Sequence, residues 1–196
     1  MSSTGLFGGA FDPPHNGHVA LAEDAIQRFG LERMIVLPTG VPPHKPVETD
    51  SSTRLDLTVA AFADRPKVEI STYDIDREGP AYTVDTVRWA AEHWSDVIFV
   101  VGADEFGDFL LWKDPDEILE HARLGVATRP GYPPERIQQV LNQLRRPERV
   151  ESFTIEPLPV SSTQIRARAA KGEPIDGLVP PAVAQLIAEH CLYRDE

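Results

Sequence analysis

Apolar residues recur along the chain in two alternating patterns, short continuous runs and longer amphipathic segments. The runs predict strands near residues 6–7, 33–38, 68–70, 97–102, 124–128 and 153–155. Helical spacing predicts helices near residues 17–29, 55–62, 83–93, 137–144, 161–170 and 181–191. This alternation indicates an α/β fold with a Rossmann-like open, mostly parallel sheet and helices on both faces. We expect one domain over residues 1–196, with about the last 35 residues as a C-terminal helical part packed on it.

Turn and cap signals separate these elements. Residues 39–50 are rich in Gly, Pro and polar residues, which predicts a loop leaving the end of a strand. Thr83 is placed to cap the helix that follows it, and Asp114 stands before Pro115 in the order expected of another helix start. In open α/β sheets ligands bind outside the carboxyl ends of the strands, where strand order reverses. The candidate motifs all follow predicted strands, so we expect them at that edge.

The charge of the chain restricts its partners. Its formal net charge is -12 at pH 7, which opposes binding to bulk nucleic acid through a basic surface. An anionic ligand must therefore be held by a few aimed donors.

Cysteine content and hydropathy exclude other classes. The one cysteine, Cys191, leaves no internal disulfide framework, and its position in an apolar helical pattern predicts a packed thiol. No apolar run approaches the ~20 residues that a membrane span needs. The N-terminal segment lacks a basic stretch followed by an apolar one, so we expect a cytoplasmic protein with no membrane partner.

The first candidate motif is the segment from Gly8 to His18. Gly8 and Gly9 follow a predicted strand and let the backbone approach a phosphate, while the next helix start supplies N–H donors. His15 and His18 are three positions apart, so both rings can point the same way and stabilise charge on a phosphoryl group. By themselves, two such histidines more often cap a helix or face solvent. A zinc site lacks further ligands in the sequence.

The second motif is a hydroxyl cluster at a later helix start. Ser161, Ser162 and Arg166 combine hydroxyls, helix N–H groups and a guanidinium, which together are typical of a phosphate cradle. Taken alone, the serines are more often an ordinary helix cap.

Both motifs resemble a known superfamily. The string Gly-Gly-x-Phe-Asp-Pro-x-His-x-Gly-His over residues 8–18 resembles the signature of the Rossmann-like nucleotidyltransferases, which pair it with a Ser-Ser-x-x-Arg-like motif near the C-terminus. The segments at residues 42–46, 79–86, 102–104, 111–112 and 129–132 look like those of bacterial nicotinate mononucleotide adenylyltransferases, in the same order. The resemblance covers nearly the full chain. Phosphopantetheine adenylyltransferases share the two end motifs but are shorter and lack this middle set.

The resemblance implies roles for particular residues. His15, His18 and Arg166 would be catalytic. Trp112 would stack on the pyridine ring, although a core tryptophan is an equal alternative from the sequence, and Asp104 would bind a ribose unless it caps a helix. Lys45 would reach the ATP phosphates, although loop lysines are usually only solvated. The ATP-binding set is Gly8, Gly9, Phe11, His15, His18, Lys45, Gly102, Asp104, Ser161, Ser162 and Arg166, and the mononucleotide-binding set is Thr39, His44, Thr83, Trp112 and Arg129.

The implied reaction joins nicotinate mononucleotide to the adenylyl group of ATP. Magnesium is expected with ATP, bound by the nucleotide and water rather than by protein ligands. Three alternatives stay open: nicotinamide mononucleotide as the preferred acceptor, another cytidylyl or adenylyl transfer, and a non-catalytic nucleotide-binding protein. The sequence also leaves open whether the chain forms a homo-oligomer.

Overall fold

The fold, taken from a computed structural model that describes residues 3–43, 46–156 and 158–194, is built on one parallel sheet. Six strands lie in the order β3-β2-β1-β4-β5-β6. Their bounds are β1 Thr4–Gly9, β2 Arg33–Pro38, β3 Val68–Ile70, β4 Val97–Gly102, β5 Arg123–Thr128 and β6 Val150–Thr154. The helices are α1 Asn16–Phe29, α2 Ser51–Phe62, α3 Tyr73–Asp76, α4 Thr83–His93, α5 Ala103–Gly107, α6 Pro115–His121, α7 Pro134–Leu141, α8 Ser162–Ala170 and α9 Pro181–Glu189.

The four inner strands, β2, β1, β4 and β5, are largely buried on both faces, as their continuous apolar runs predict, whereas the edge strands β3 and β6 keep exposed positions. Alternate residues of β1 enter different cores, with Phe7 on one side of the sheet and Leu6 on the other. Buried residues of α1, α2, α8 and α9 pack with Phe7, whereas those of α4, α5, α6 and α7 pack with Leu6. The predicted fold class is therefore confirmed, with helices on both faces of a parallel sheet.

Strand order reverses between β1 and β4, the two central strands. β1 pairs in parallel with β2 on one side and with β4 on the other. The loops that leave β1 and β4 therefore diverge at the carboxyl edge and open a crevice there.

Several predicted boundaries and caps were wrong in detail. Tyr82, not Thr83, is the N-cap of α4, and Thr83 is the first helical residue. Asp114 is the N-cap of α6, as predicted, but its side chain makes no capping hydrogen bond because its backbone is left-handed, with φ 49°. α7 begins and ends earlier than the apolar spacing suggested, and α3 and α5 lacked a clear signal because each is only a turn or so long.

Cys191 is exposed, which corrects the expectation of a packed thiol. α9 ends at Glu189, and Cys191 lies beyond it in a left-handed conformation with φ 50°. The apolar periodicity runs on past the helix in the sequence, but the backbone after the helix end leaves Cys191 exposed while Leu192 and Tyr193 pack against the core. Among the described residues, no helix is long and apolar enough to cross a membrane.

Candidate active site at the carboxyl edge of the sheet

His15 and His18 form a stacked pair at the start of α1. Their ring centroids are 3.7 Å apart with an interplanar angle of 20°. The His15 side chain is the N-cap: its Nδ1 accepts the His18 backbone N–H at 3.3 Å, and Nδ1 of His18 accepts the His15 N–H at 3.1 Å. The capping alternative raised by the sequence is thus correct for the Nδ1 atoms.

The same capping hydrogen bonds determine which nitrogen carries the proton when the ring is neutral. With Nδ1 accepting, a neutral ring carries its proton on Nε2. Burial lowers the pKa of His15 from 6.5 to about 4, so this ring is neutral at pH 7 and its Nε2 is a donor. The two capping hydrogen bonds therefore involve only the Nδ1 atoms of the pair.

The second motif packs against the first. Ser161 caps α8 by accepting the Gln164 N–H at 3.2 Å, and the Ser162 hydroxyl donates to the Pro13 carbonyl at 2.8 Å. Arg166, one turn along, donates to the Asp12 carbonyl at 2.9 Å. These contacts bring Arg166 to the histidine loop although the two motifs lie at opposite ends of the sequence.

The Asp12 side chain links the first motif to the loop after β2 and to the segment after α9. Its buried carboxylate accepts from the Glu48 N–H at 2.6 Å, the Thr49 hydroxyl at 2.8 Å and the Tyr193 hydroxyl at 2.8 Å. The Glu48 side chain in turn accepts from Nε of Arg166 at 2.7 Å. The loop after β2 is therefore attached to both motifs.

Arg54 of α2 lies underneath, with its side chain fully buried. Its guanidinium donates to four main-chain carbonyls, those of Ala10 at 2.9 Å, Thr39 at 2.5 Å, Gly40 at 2.7 Å and Thr49 at 3.3 Å. These carbonyls belong to the loops after β1 and β2, which lie side by side because their strands are paired. Arg54 thus holds together the two loops that form one wall of the crevice.

The other wall comes from the ends of β4 and β5. Arg129 follows β5 and lies 3.6 Å from the Asp104 carboxylate in the first turn of α5, with both side chains exposed. The Tyr132 hydroxyl donates to the Ala103 carbonyl at 2.9 Å and holds this segment against α5. The structure therefore pairs two residues that the resemblance assigned to different substrates.

The segments that contain Trp112 and Thr83 are in contact through the residues next to them. The Lys113 ammonium, next to Trp112, lies 4.6 Å from the Tyr82 ring, next to Thr83. Trp112 is half-buried, with Phe109 5.4 Å and Phe99 6.2 Å from its ring centroid. It is partly a core residue, as one alternative held, and its remaining surface is exposed.

The remaining predicted residues are placed as follows. Phe11 is buried against His18, so its contact with a nucleotide would come from its main chain. A side chain on Gly9 would meet the Phe11 ring at 2.9 Å, so the glycine is required for packing as well.

The Thr39 N–H donates to the Gly9 carbonyl at 2.9 Å, beside β1. Gly8, the second-last residue of β1, and Gly102, the last residue of β4, lie at the carboxyl edge of the sheet. His44 and Lys45 lie outside the described residues.

Comparison with known proteins identifies the family. A model of the cytidylyltransferase-like family matches residues 6–168. A probable nicotinate-nucleotide adenylyltransferase of Moorella thermoacetica is 41% identical, over 97% of this chain and 91% of that protein. One of Thermus thermophilus is 38% identical, over 97% of this chain and 98% of that protein. This chain belongs to the nicotinate-nucleotide adenylyltransferase family.

Solved structures show the same fold. The nicotinic acid mononucleotide adenylyltransferase of Plasmodium falciparum, complexed with NaAD, superposes with a TM-score of 0.80 over 98% of both chains at 16% identity. A Vibrio parahaemolyticus structure gives a TM-score of 0.72 at 21% identity, over 100% of this chain and 98% of that chain. At such identities these likenesses support the sheet topology of the family.

Sequence reasoning missed the residues beneath this family's signature. Asp12 stands inside the motif but was not assigned a role, and Glu48 and Tyr193 gave no signal. The sequence did contain a signal for Arg54. Leu57, Thr58 and Ala61 follow it at three, four and seven positions. All three are buried, so Arg54 occupies the inner face of α2. An arginine on such a face requires buried acceptors, which the sequence could not identify.

Proposed function

We propose that this protein transfers AMP from ATP to the 5'-phosphate of nicotinate mononucleotide, producing nicotinate adenine dinucleotide and pyrophosphate. Membership of the family supports the reaction class. The observation that carries the proposal is the juxtaposition of the His15–His18 pair with Arg166, because it gathers N–H donors suited to phosphate oxygens at the crevice.

The chemistry needs no protein nucleophile. A phosphate oxygen of the mononucleotide attacks the α-phosphorus of ATP, and the bond from that phosphorus to the bridging oxygen of the β-phosphate breaks as pyrophosphate leaves. Charge develops on the leaving oxygens, so the protein contributes positioning and charge stabilisation. We assign the Nε2–H groups of the histidines and the Arg166 guanidinium to the ATP phosphates, with Ser161 and Ser162 completing the cradle from the start of α8.

The remaining assignments follow the two walls of the crevice. Gly8, Gly9 and Gly102 would let nucleotide approach the strand ends, and Asp104 would accept from a ribose hydroxyl. Substrate binding would then break the Asp104–Arg129 ion pair or share its charges. The free-energy cost is small because both side chains are exposed.

The acceptor would lie between Trp112 and the start of α4. Within the described ranges no side chain caps α4, so an anionic group can accept hydrogen bonds from its first-turn N–H groups, near Thr83. Lys113 and Arg77 add positive charge beside that helix start, partly offset by Asp85, which lies 2.9 Å from Arg77. This arrangement favours a pyridine carboxylate over an amide.

Magnesium would arrive with ATP. Among the described residues, no group of three or more His, Cys, Asp or Glu side chains is arranged to hold a metal ion. The donors at the cradle are N–H groups and hydroxyls, which suit phosphate oxygens, so we assign the metal to the phosphates and water as MgATP.

The test is pyrophosphate release by purified protein from MgATP with nicotinate mononucleotide, with nicotinamide mononucleotide, and with no acceptor. We expect release chiefly with the acid. Equal rates with both mononucleotides would overturn the acid preference, and release with neither would overturn the proposed reaction.

Replacing Trp112 with leucine is expected to raise KM for the mononucleotide about 10-fold while KM for ATP stays unchanged, because an aromatic pair contributes roughly 0.5–1.5 kcal/mol. Initial rates with each substrate varied in turn provide the measurement.

Trp94→Leu is the matched control. Trp94 is also half-buried and packs against other rings, with Trp89 5.5 Å away, but it precedes β4 at the amino edge of the sheet. Equal changes in both KM values for Trp112→Leu, or the same KM change in the control, would contradict the stacking role.

A further inference from the structure

Tyr193 connects the segment after α9 to the first motif. Its hydroxyl donates to Oδ1 of Asp12 at 2.8 Å, far from it in sequence. Burial raises the pKa of this hydroxyl, and the Asp12 carboxylate raises it further, so the group remains a donor throughout the neutral range.

Asp12 is connected to Arg166 in two ways, once directly and once through Glu48. Its own carbonyl accepts from Nη1 of Arg166, and its carboxylate holds the N–H of Glu48, whose side chain accepts from Nε of Arg166. The direction of the guanidinium therefore depends on where the Asp12 carboxylate lies. Three donors keep it in place, from Glu48, Thr49 and Tyr193.

We propose that Tyr193 is a positioning residue for the phosphate-binding half of the site, acting through Asp12 on Arg166. The proposal rests on the proposed function only in assigning Arg166 to ATP. Without the hydroxyl, the buried carboxylate loses one of its donors and shifts toward the others, and the two acceptors that aim Arg166 shift with it. Nicotinate mononucleotide, bound at the other wall, would not sense this change.

The deciding variant is Tyr193→Phe, which removes one oxygen and keeps the ring. We expect the Kd of a non-hydrolysable ATP analogue to rise about 10-fold and kcat to fall, with the Kd of nicotinate mononucleotide unchanged. Binding is measured by calorimetry for each ligand, and Tm is measured in parallel. A merely structural role would lower Tm and leave both Kd values as in the unsubstituted protein, which would overturn the proposal.

Two further variants sharpen the test. Thr49→Val removes the other side-chain donor to Oδ1 of Asp12 and should give the same selective loss, including where Tyr193→Phe does not fold. Tyr73→Phe makes the same chemical change at a ring that stacks on Trp89 on the other side of the sheet, and should leave both Kd values unchanged. An ATP-selective effect in the control, or its absence in both Asp12-linked variants, would overturn the proposal.

The calorimetric readout separates this proposal from the reaction itself. If the unsubstituted protein binds the ATP analogue but releases no pyrophosphate with nicotinate mononucleotide, the proposed reaction fails, and Tyr193→Phe still tests the positioning role. If turnover is normal and Tyr193→Phe binds the analogue as tightly as the unsubstituted protein, only the positioning role fails.

Discussion

A His18→Gln variant is expected to lose turnover by about 100-fold or more while remaining folded. The expected loss is that of removing one preorganised donor to the transition state. Glutamine is chosen because it is a favoured residue at the third position of a helix capping box, so its side-chain oxygen can accept the His15 N–H as Nδ1 of His18 does. The variant therefore removes the Nε2 donor and keeps the cap. Pyrophosphate release measures kcat, and the Tm of thermal unfolding reports whether the stability that the cap contributes is retained.

His18→Ala and His93→Gln complete this experiment. The alanine variant loses donor and cap together, so its turnover should match that of the glutamine variant while its stability is lower by about 1 kcal/mol. His93, exposed on α4, should tolerate glutamine with normal kcat. Normal turnover in His18→Gln would contradict the role assigned to the Nε2 donor of His18.

Arg54→Met is expected to lower the free energy of unfolding by about 3–5 kcal/mol, the typical cost of removing one partner from a buried charged network. Methionine fills similar space but removes the guanidinium donor from the carbonyls of the two loops, and it removes a positive charge that interacts with Asp12. That loss is a large fraction of the roughly 5–15 kcal/mol that stabilises a typical domain. Urea unfolding at pH 7 provides the measurement, and activity should fall as the loops separate.

The control is Arg33→Met, at an arginine that pairs with Glu32 and Glu69 on the surface. Exposed pairs of this kind contribute about 0–1 kcal/mol, so this variant should unfold almost as the unsubstituted protein does. Arg54→Lys should fall between the two, because an ammonium keeps the charge but cannot reach the acceptors that the planar guanidinium spans. Similar losses for Arg54→Met and Arg33→Met would contradict the role assigned to the buried network.

Regular elements with a long or fully apolar pattern were predictable. The bounds of β2, β3 and β4 agree with the predicted runs, and for β2 and β4 the reason is that strands covered on both faces contain little but apolar residues. Short elements such as α3 and α5 were not, because a single turn does not show a helical period. The left-handed backbone of Asp114 and the exposure of Cys191 also depend on contacts that no local pattern encodes.

Some features of the candidate site could likewise be predicted from the sequence, and others could not. The spacing of His15 and His18 at a predicted helix start indicated that their rings would face one way, because residues three apart on a helix are neighbours. The division of labour between Nδ1 and Nε2 became visible only with the capping geometry, since hydrogen-bond partners decide which ring nitrogen carries the proton. Arg166 was found through its motif, and its two supports, Asp12 and Glu48, were not.

The sequence by itself determined the class of fold and, through its motifs, the family, because hydrophobic periodicity and local strings of residues can be recognised without knowing what they touch. The tertiary structure alone decided what lies beneath those motifs. Arg54, Asp12 and Tyr193 meet there only because parallel strand pairing places two loops side by side and α9 returns the chain to them. Buried polar groups must find partners wherever the fold brings them, and those partners are set by spatial proximity rather than by position along the chain.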